Sequence, residues 1–386
     1  MSGQTSTRQT WIDALRLTAG LSMVGLHATA DAMGQPFPDA ELAERVAPML
    51  LRAVLYTART ELFLIISIFL LLQSLEIRPR GYSSTIAEQA RRMLIPFVAW
   101  TLIYSVYGLI KADVYGYGPA ALAELLDPLA WVGFLFLGDV KYHMHFIPTL
   151  FGLLLLYPLF RVAYRVPMFG LSVFACLLVK RELDAVIFSQ FWGTDVLPYL
   201  VRAVKILTYA GYGFAAAALL GLWHRVTPQD RALWAPAAIF LGCLLFLIKL
   251  IAAHKTVVTG EWPFDYTPGY WADFLMPLVL FAICMSLANA AWPSVLSRLA
   301  PYSFGIYLCH PLFLDQAEIL LRGTHWAPIA QIAAKIAYTV PLTCVFVWGL
   351  SKLRALGWLV GLGPFPAFGP FRMRSSSSTV KQETLT

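Results

Sequence analysis

ARTELFLIISIFLLL, residues 58–72, lies in an apolar run over residues 53–75 that decides the fold class. Wound as a helix at about 1.5 Å per residue, such a run is long enough to cross the roughly 30 Å of bilayer hydrocarbon. Outward from it, runs of similar length recur near 11–30, 93–111, 145–163, 166–180, 203–223, 233–252, 270–290, 303–321 and 327–351. Lys180 and Arg181 cut the run at 166–180 short. Another apolar stretch, 120–137, is interrupted by Glu124, Asp127 and Pro128 and reads as an interfacial or re-entrant piece. The pattern predicts an all-α polytopic integral membrane protein of about ten transmembrane helices. Composition points the same way, because only 13% of the 386 residues are charged, against about 25% in ordinary soluble domains.

The net charge of +7 does not read as a nucleic-acid surface, since Lys and Arg sit mostly between apolar runs, where they set topology. Placing the N-terminus inside puts Arg78, Arg80, Arg91, Arg92, Arg161, Arg165, Lys352 and Arg354 on the cytoplasmic side and leaves fewer cations opposite. Both termini are therefore expected in the cytoplasm. The first run lacks the basic lead-in and small-residue cleavage site of a signal peptide and should stay as a helix. The chain divides into a cytoplasmic N-terminus (1–10), a transmembrane domain (11–352) and a cytoplasmic tail (353–386), Ser-rich and partly disordered. No internal repeat of the kind that builds many transporters is evident. The five cysteines all fall in apolar segments without metal-ligand spacing and read as small core hydrophobes, and no metal is expected.

Ionisable residues inside hydrocarbon are costly, so they mark candidate chemistry. The first run carries Asp13, Arg16 and His27, with Asp31 just beyond it. Arg16 and His27 are eleven residues apart, about 16 Å of rise and about 20° of net rotation, so they share one helix face. A histidine accepts a hydroxyl proton near neutral pH. Asp13 is spaced to pair with Arg16, and Asp31 to fix the His27 tautomer. His310 stands one turn after Tyr307 and reads as a second base, a clamp on a thioester carbonyl or a packing residue. His143 and His145 alternate at the outer end of the fourth run, a spacing unsuited to a helical metal pair. Arg59, Lys205, Lys249 and Lys335 are further embedded cations. Trp262, Tyr266 and their neighbours combine aromatic rings with carboxylates, as a sugar site or an interfacial belt would. No phosphate-binding loop, dinucleotide glycine motif or serine elbow occurs.

The segment RQTWIDALRLTAGLSMVGLHA, residues 8–28, resembles the opening helix of the membrane acyltransferase-3 family, whose signature is an Arg, ten residues, then a His, here Arg16 and His27. ARTELFLIISIFLLL (58–72), ARRMLIPFVAW (90–100), HMHFIPTL (143–150) and SFGIYLCHPLF (303–313) resemble later family motifs in the same order. There are departures. The family's Arg-x-x-Arg begins here with Gln89, the Gly expected after Ser67 is Ile68, and an expected Trp is His145.

The resemblance implies an O-acyltransferase of the bacterial inner membrane, with acyl-CoA as donor and a hydroxyl of a periplasmic glucan or polysaccharide as acceptor. His27 becomes the general base, helped by Arg16, Asp13 and His310. Arg91, Arg92 and Arg16 would hold the coenzyme A end, and His143, His145, Trp262, Tyr266 and Arg59 the acceptor. With no nucleophilic Ser or Cys near His27 in sequence, direct transfer is expected, unless the fold brings Ser67 close. The span layout is most similar to members that succinylate osmoregulated periplasmic glucans, so succinyl-CoA is favoured and acetyl-CoA comes second. A succinyl enzyme needs a cation near the thioester, for which Arg59, Lys205 and Lys249 are candidates. Beyond membrane lipids no other partner is implied, and oligomeric state is left open. The alternative is a transporter or flippase for a glycan or lipid-linked precursor, which embedded charges serve equally well.

Overall fold

The structure is a computed structural model and describes residues 9–365. The expected termini at 1–8 and 366–386 lie outside the described residues. Sixteen α-helices follow in chain order among those described: α1 (Thr10–Ala28), α2 (Leu42–Leu55), α3 (Thr60–Ile77), α4 (Tyr82–Val114), α5 (Gly118–Leu126), α6 (Pro128–Phe136), α7 (Phe146–Leu155), α8 (Tyr157–Arg165), α9 (Ser172–Phe191), α10 (Leu197–Arg225), α11 (Pro228–Ala232), α12 (Ala235–Thr259), α13 (Thr267–Ser286), α14 (Ser294–Leu299), α15 (Ser303–Leu321) and α16 (Pro328–Lys352). The molecule is 79% helical and has no strand among these residues. It is an all-α polytopic membrane protein.

Six helical segments are long and apolar enough to cross a membrane, or eight if each sharply bent pair is one span. With the bent pair α5 and α6 set aside as the re-entrant piece, the expected ten correspond to those six, the bent pair α7 and α8, and three further helices, α1, α9 and α15. These last three have 19 or 20 residues, but ionisable side chains such as Lys180, Arg181, Asp315 and Glu318 dilute their apolar character. The predicted span at 53–75 is the second half of a longer segment, Leu42–Ile77, broken between α2 and α3. That at 145–163 bends by 65° where Leu156 separates α7 from α8, and Pro158 denies the backbone an N–H just beyond. The interrupted stretch at 120–137 becomes α5 and α6, meeting at 89° across Asp127 and Pro128, the shape of a re-entrant or broken span.

Burial sorts the helices. α1 is covered on nearly every side, packed by α2, α3, α13, α15 and α16. At its start Trp11 meets Phe69, Trp223 and Phe281 edge-on or tilted at 5.3–6.1 Å. α10 lies against α3, α7, α8 and α9 and relies on small residues for close approach. A Cβ added at Gly221 would come within 2.3 Å of the Tyr164 carbonyl oxygen. Peripheral helices instead present apolar residues outward, Val98, Leu102, Val106 and Ile110 on α4 and Phe240, Leu244, Leu247 and Ile251 on α12, which suits lipid and not water. The cysteines are free, but only Cys309 is buried in the core, and Cys243 faces outward on α12. It occupies the outer apolar face and not the core expected for it.

Candidate active site

Three histidines come together near the end of α1. His27 sits in its last turn, His310 on α15, and His143 in the segment 137–145 before α7. The His27 and His310 rings stack with centroids 5.6 Å apart, and His143 meets the edge of His310 at 5.2 Å. Tyr142 closes on His27 at 4.2 Å, while Tyr104 of α4 and Tyr307 of α15 flank His143 at 5.4 and 5.3 Å. The first, third and ninth predicted spans thus meet here, joined by a loop.

Local backbone chemistry fixes these rings. Pro311 lacks an N–H, so the Tyr307 carbonyl has no helical donor four residues on. His310 Nδ1 fills that role at 2.8 Å. A carbonyl only accepts, so Nδ1 carries the proton and Nε2 keeps its lone pair. By the same reasoning His143 donates through Nε2 to the Leu308 carbonyl, 3.3 Å, which leaves Nδ1 as its acceptor nitrogen. That carbonyl also accepts from Tyr104 Oη, 2.6 Å, and Tyr307 Oη donates to the His143 carbonyl. Gly138 starts the segment with φ +74° and has the Met144 carbonyl 2.7 Å from where a Cβ would stand. Only glycine combines that turn with that approach. Lys141 and Lys111 both pair with Asp315, at 2.5 and 3.2 Å, tying the segment and α4 to α15. Glu318 pairs with Lys111 and, at 3.7 Å, with Lys335, whose Nζ donates to Ala30 O, 2.6 Å.

Among the described residues, His27 Nε2, His143 Nδ1 and His310 Nε2 are all buried without a hydrogen-bond partner. Buried polar atoms are normally satisfied, so three unpartnered nitrogens in one cluster single this place out as a candidate site. No described His, Cys, Asp or Glu group is placed to hold a metal ion.

A cavity of about 500 Å³ opens from the opposite end of the bundle and reaches Tyr307, beneath the histidines. Arg16, Arg80, Gln89, Arg92, Ser67 and Ser303 supply its polar lining. Arg16 pairs with Asp13 at 4.0 Å, as their i, i+3 spacing predicts. Gln89 and Arg92, three apart on α4, share one face, whereas Arg91 is exposed and lines no part of the cavity. Arg80 takes the place expected for Arg91, held by an ion pair with Glu88 and a hydrogen bond to Ser74 Oγ, 3.2 Å. In the sequence Arg80 reads only as a charge in a short cytoplasmic loop.

A second cavity, about 470 Å³, lies at the histidine end between α2, α12, α13 and the segment after α12. Arg59, Trp262 and Tyr266 line it together with Arg52, Tyr56, Lys249 and Asp273. Arg59 pairs with Glu61 at 3.1 Å and Asp273 at 3.8 Å, and Lys249 pairs with Asp273. His145 and Lys205 line neither cavity. His145 Nδ1 bonds the Tyr142 carbonyl, 2.7 Å, and its own carbonyl accepts from Arg202; Lys205 sits over the Tyr209 ring. Asp31 Oδ1 accepts from the Met33 and Gln35 amides, 2.8 and 2.7 Å, closing the turn after α1. Its oxygen serves the turn in place of the His27 tautomer expected of it.

A family model described as an acyltransferase domain matches residues 9–348 of this chain. No curated protein and no solved structure matches it.

Proposed function

The chain belongs to the acyltransferase-domain family, and from that premise we propose that this membrane acyltransferase moves an acyl group from cytoplasmic acyl-CoA to a hydroxyl of a periplasmic glucan or polysaccharide. Succinyl is the favoured group and acetyl the second. The observation that carries the reading is the cation-lined cavity ending at Tyr307, whose hydroxyl donates to the backbone of a cluster with three unpartnered histidine nitrogens.

In this reading the cytoplasmic face of the inner membrane lies at the Arg80 and Arg92 end. These guanidiniums, with Arg16 deeper in, match the phosphates of coenzyme A, and the pantetheine arm runs along the apolar wall toward Tyr307. The acceptor enters from the cavity lined by Trp262, Tyr266 and Arg59. His27 takes the hydroxyl proton. The oxygen forms a bond to the thioester carbon, the carbon–sulfur bond breaks, and the imidazolium returns its proton to the departing thiolate. His310, with its proton held on Nδ1, offers only an acceptor at Nε2, so it cannot clamp the thioester oxygen and instead accepts from a second hydroxyl of the acceptor sugar, which orients the one that gives its proton to His27. Ser67 and Ser303 line the donor cavity, and direct transfer needs neither as a nucleophile.

Mass spectrometry of periplasmic glycans from cells with wild type, His27→Ala or no protein tests this. A succinyl or acetyl adduct is expected with wild type, falling by about 10²-fold or more in His27→Ala at equal membrane abundance. Equal adducts in wild type and His27→Ala would remove His27 as the base, and unchanged glycans in cells lacking the protein would return the transport reading.

A further inference from the structure

The cations around the outer cavity are not equally satisfied. Arg59 and Lys249 already share Glu61 and Asp273, and Lys205 does not reach the cavity. Arg52 is different. Among the described residues no carboxylate lies within 4.0 Å of it, and its Nη1 donates only to Leu26 O, 3.0 Å, and Thr29 Oγ1, 3.2 Å. The guanidinium lies over the Trp262 ring, 4.2 Å from its centroid, and lines the cavity. Three cations and one carboxylate, Asp273, face that space.

A half-buried guanidinium with no carboxylate in contact among the described residues is costly to keep, and its planar fork matches a carboxylate through two parallel hydrogen bonds. Its anchor matters too. Leu26 directly precedes His27, so Arg52 is held beside the base, on the side opposite the donor cavity. Of the three cations lining the cavity, Arg52 is the one that hydrogen-bonds to α1 next to His27.

We propose that Arg52 receives the free carboxylate of a dicarboxylic acyl group, selecting a donor whose chain ends in a charge over one that ends in a methyl. The proposal rests on the acyl-transfer reading above. It replaces Arg59, Lys205 and Lys249 as receptors because Arg59 and Lys249, which line the cavity, are already paired, and Lys205 does not reach it.

Full-length protein in proteoliposomes, given succinyl-CoA or butyryl-CoA with a neutral glucan, tests it, since the two acyl chains are equal in length. Wild type is expected to prefer succinyl, and Arg52→Gln to lower the succinyl-to-butyryl ratio about tenfold or more. Should Arg52→Gln not be recovered folded, Arg52→Lys decides. It keeps a cation but loses the two-pronged contact, so the ratio should fall several-fold, and an unchanged ratio overturns the proposal. A wild-type preference for butyryl, or an equal loss with both donors, overturns it while acyl transfer stands. Transfer from neither thioester overturns the acyl-CoA reading and the inference together. If the response to Arg52→Gln appears only with an acidic glycan acceptor, the carboxylate belongs to the acceptor and the donor assignment falls.

Discussion

Pro311 shapes the candidate site without touching a substrate. By leaving the Tyr307 carbonyl free it gives His310 Nδ1 a fixed acceptor and confines the ring lone pair to Nε2, inside the cluster. Replacing it with Ala returns a backbone N–H to that carbonyl, which then competes with the imidazole. Pro311→Ala is therefore expected to slow transfer by up to about 100-fold, the scale of a small misplacement at a reacting centre. The thermal midpoint in detergent should hold or rise, since the helix gains a hydrogen bond. Full activity in this variant would sever the link between the proline and the histidine. The motif His-Pro is plain in the sequence, yet which carbonyl the proline frees and which nitrogen takes it follows from α15 being a helix through residue 311.

The segment between α6 and α7 matters as an element, because it brings His143 and Tyr142 to two helices distant in sequence. Its turn depends on Gly138, whose φ of +74° disfavours any side chain by about 1–2 kcal/mol, with the Met144 backbone leaving no room for a Cβ. Gly138→Ala should lower the thermal midpoint by at least that destabilisation and reduce transfer further than the melting change alone explains. A variant that melts early but transfers normally would show the loop's placement to be structural only. Elements of this kind are poorly legible in sequence. The stretch at 120–137 shows its interruption through Asp127 and Pro128, but neither the 89° angle nor the return of the chain to α15, where Lys141 pairs with Asp315, can be read from it.

The described residues form two cavities at opposite ends with the histidines between them, and the proposed reaction would keep donor and acceptor on separate sides of a bilayer. Orientation is testable directly. In a cysteine-free background, a membrane-impermeant maleimide added to intact spheroplasts should label Phe264→Cys, at a position 94% exposed beside the outer cavity, and leave Arg91→Cys unlabelled until the membrane is opened. The reverse pattern would invert the proposed topology and put the arginines of the larger cavity outside.

The sequence by itself determined the solvent this protein lives in, the helical class, and the shared face of Arg16 and His27, because hydropathy and the 3.6-residue repeat are local properties that need no partner. Tertiary structure alone decided that Arg80 and not Arg91 lines the larger cavity, that His143 joins His27 and His310 while His145 does not, and that no carboxylate among the described residues contacts Arg52. Each of those depends on which side chains from distant segments share one buried space, and on how the charges available there pair off.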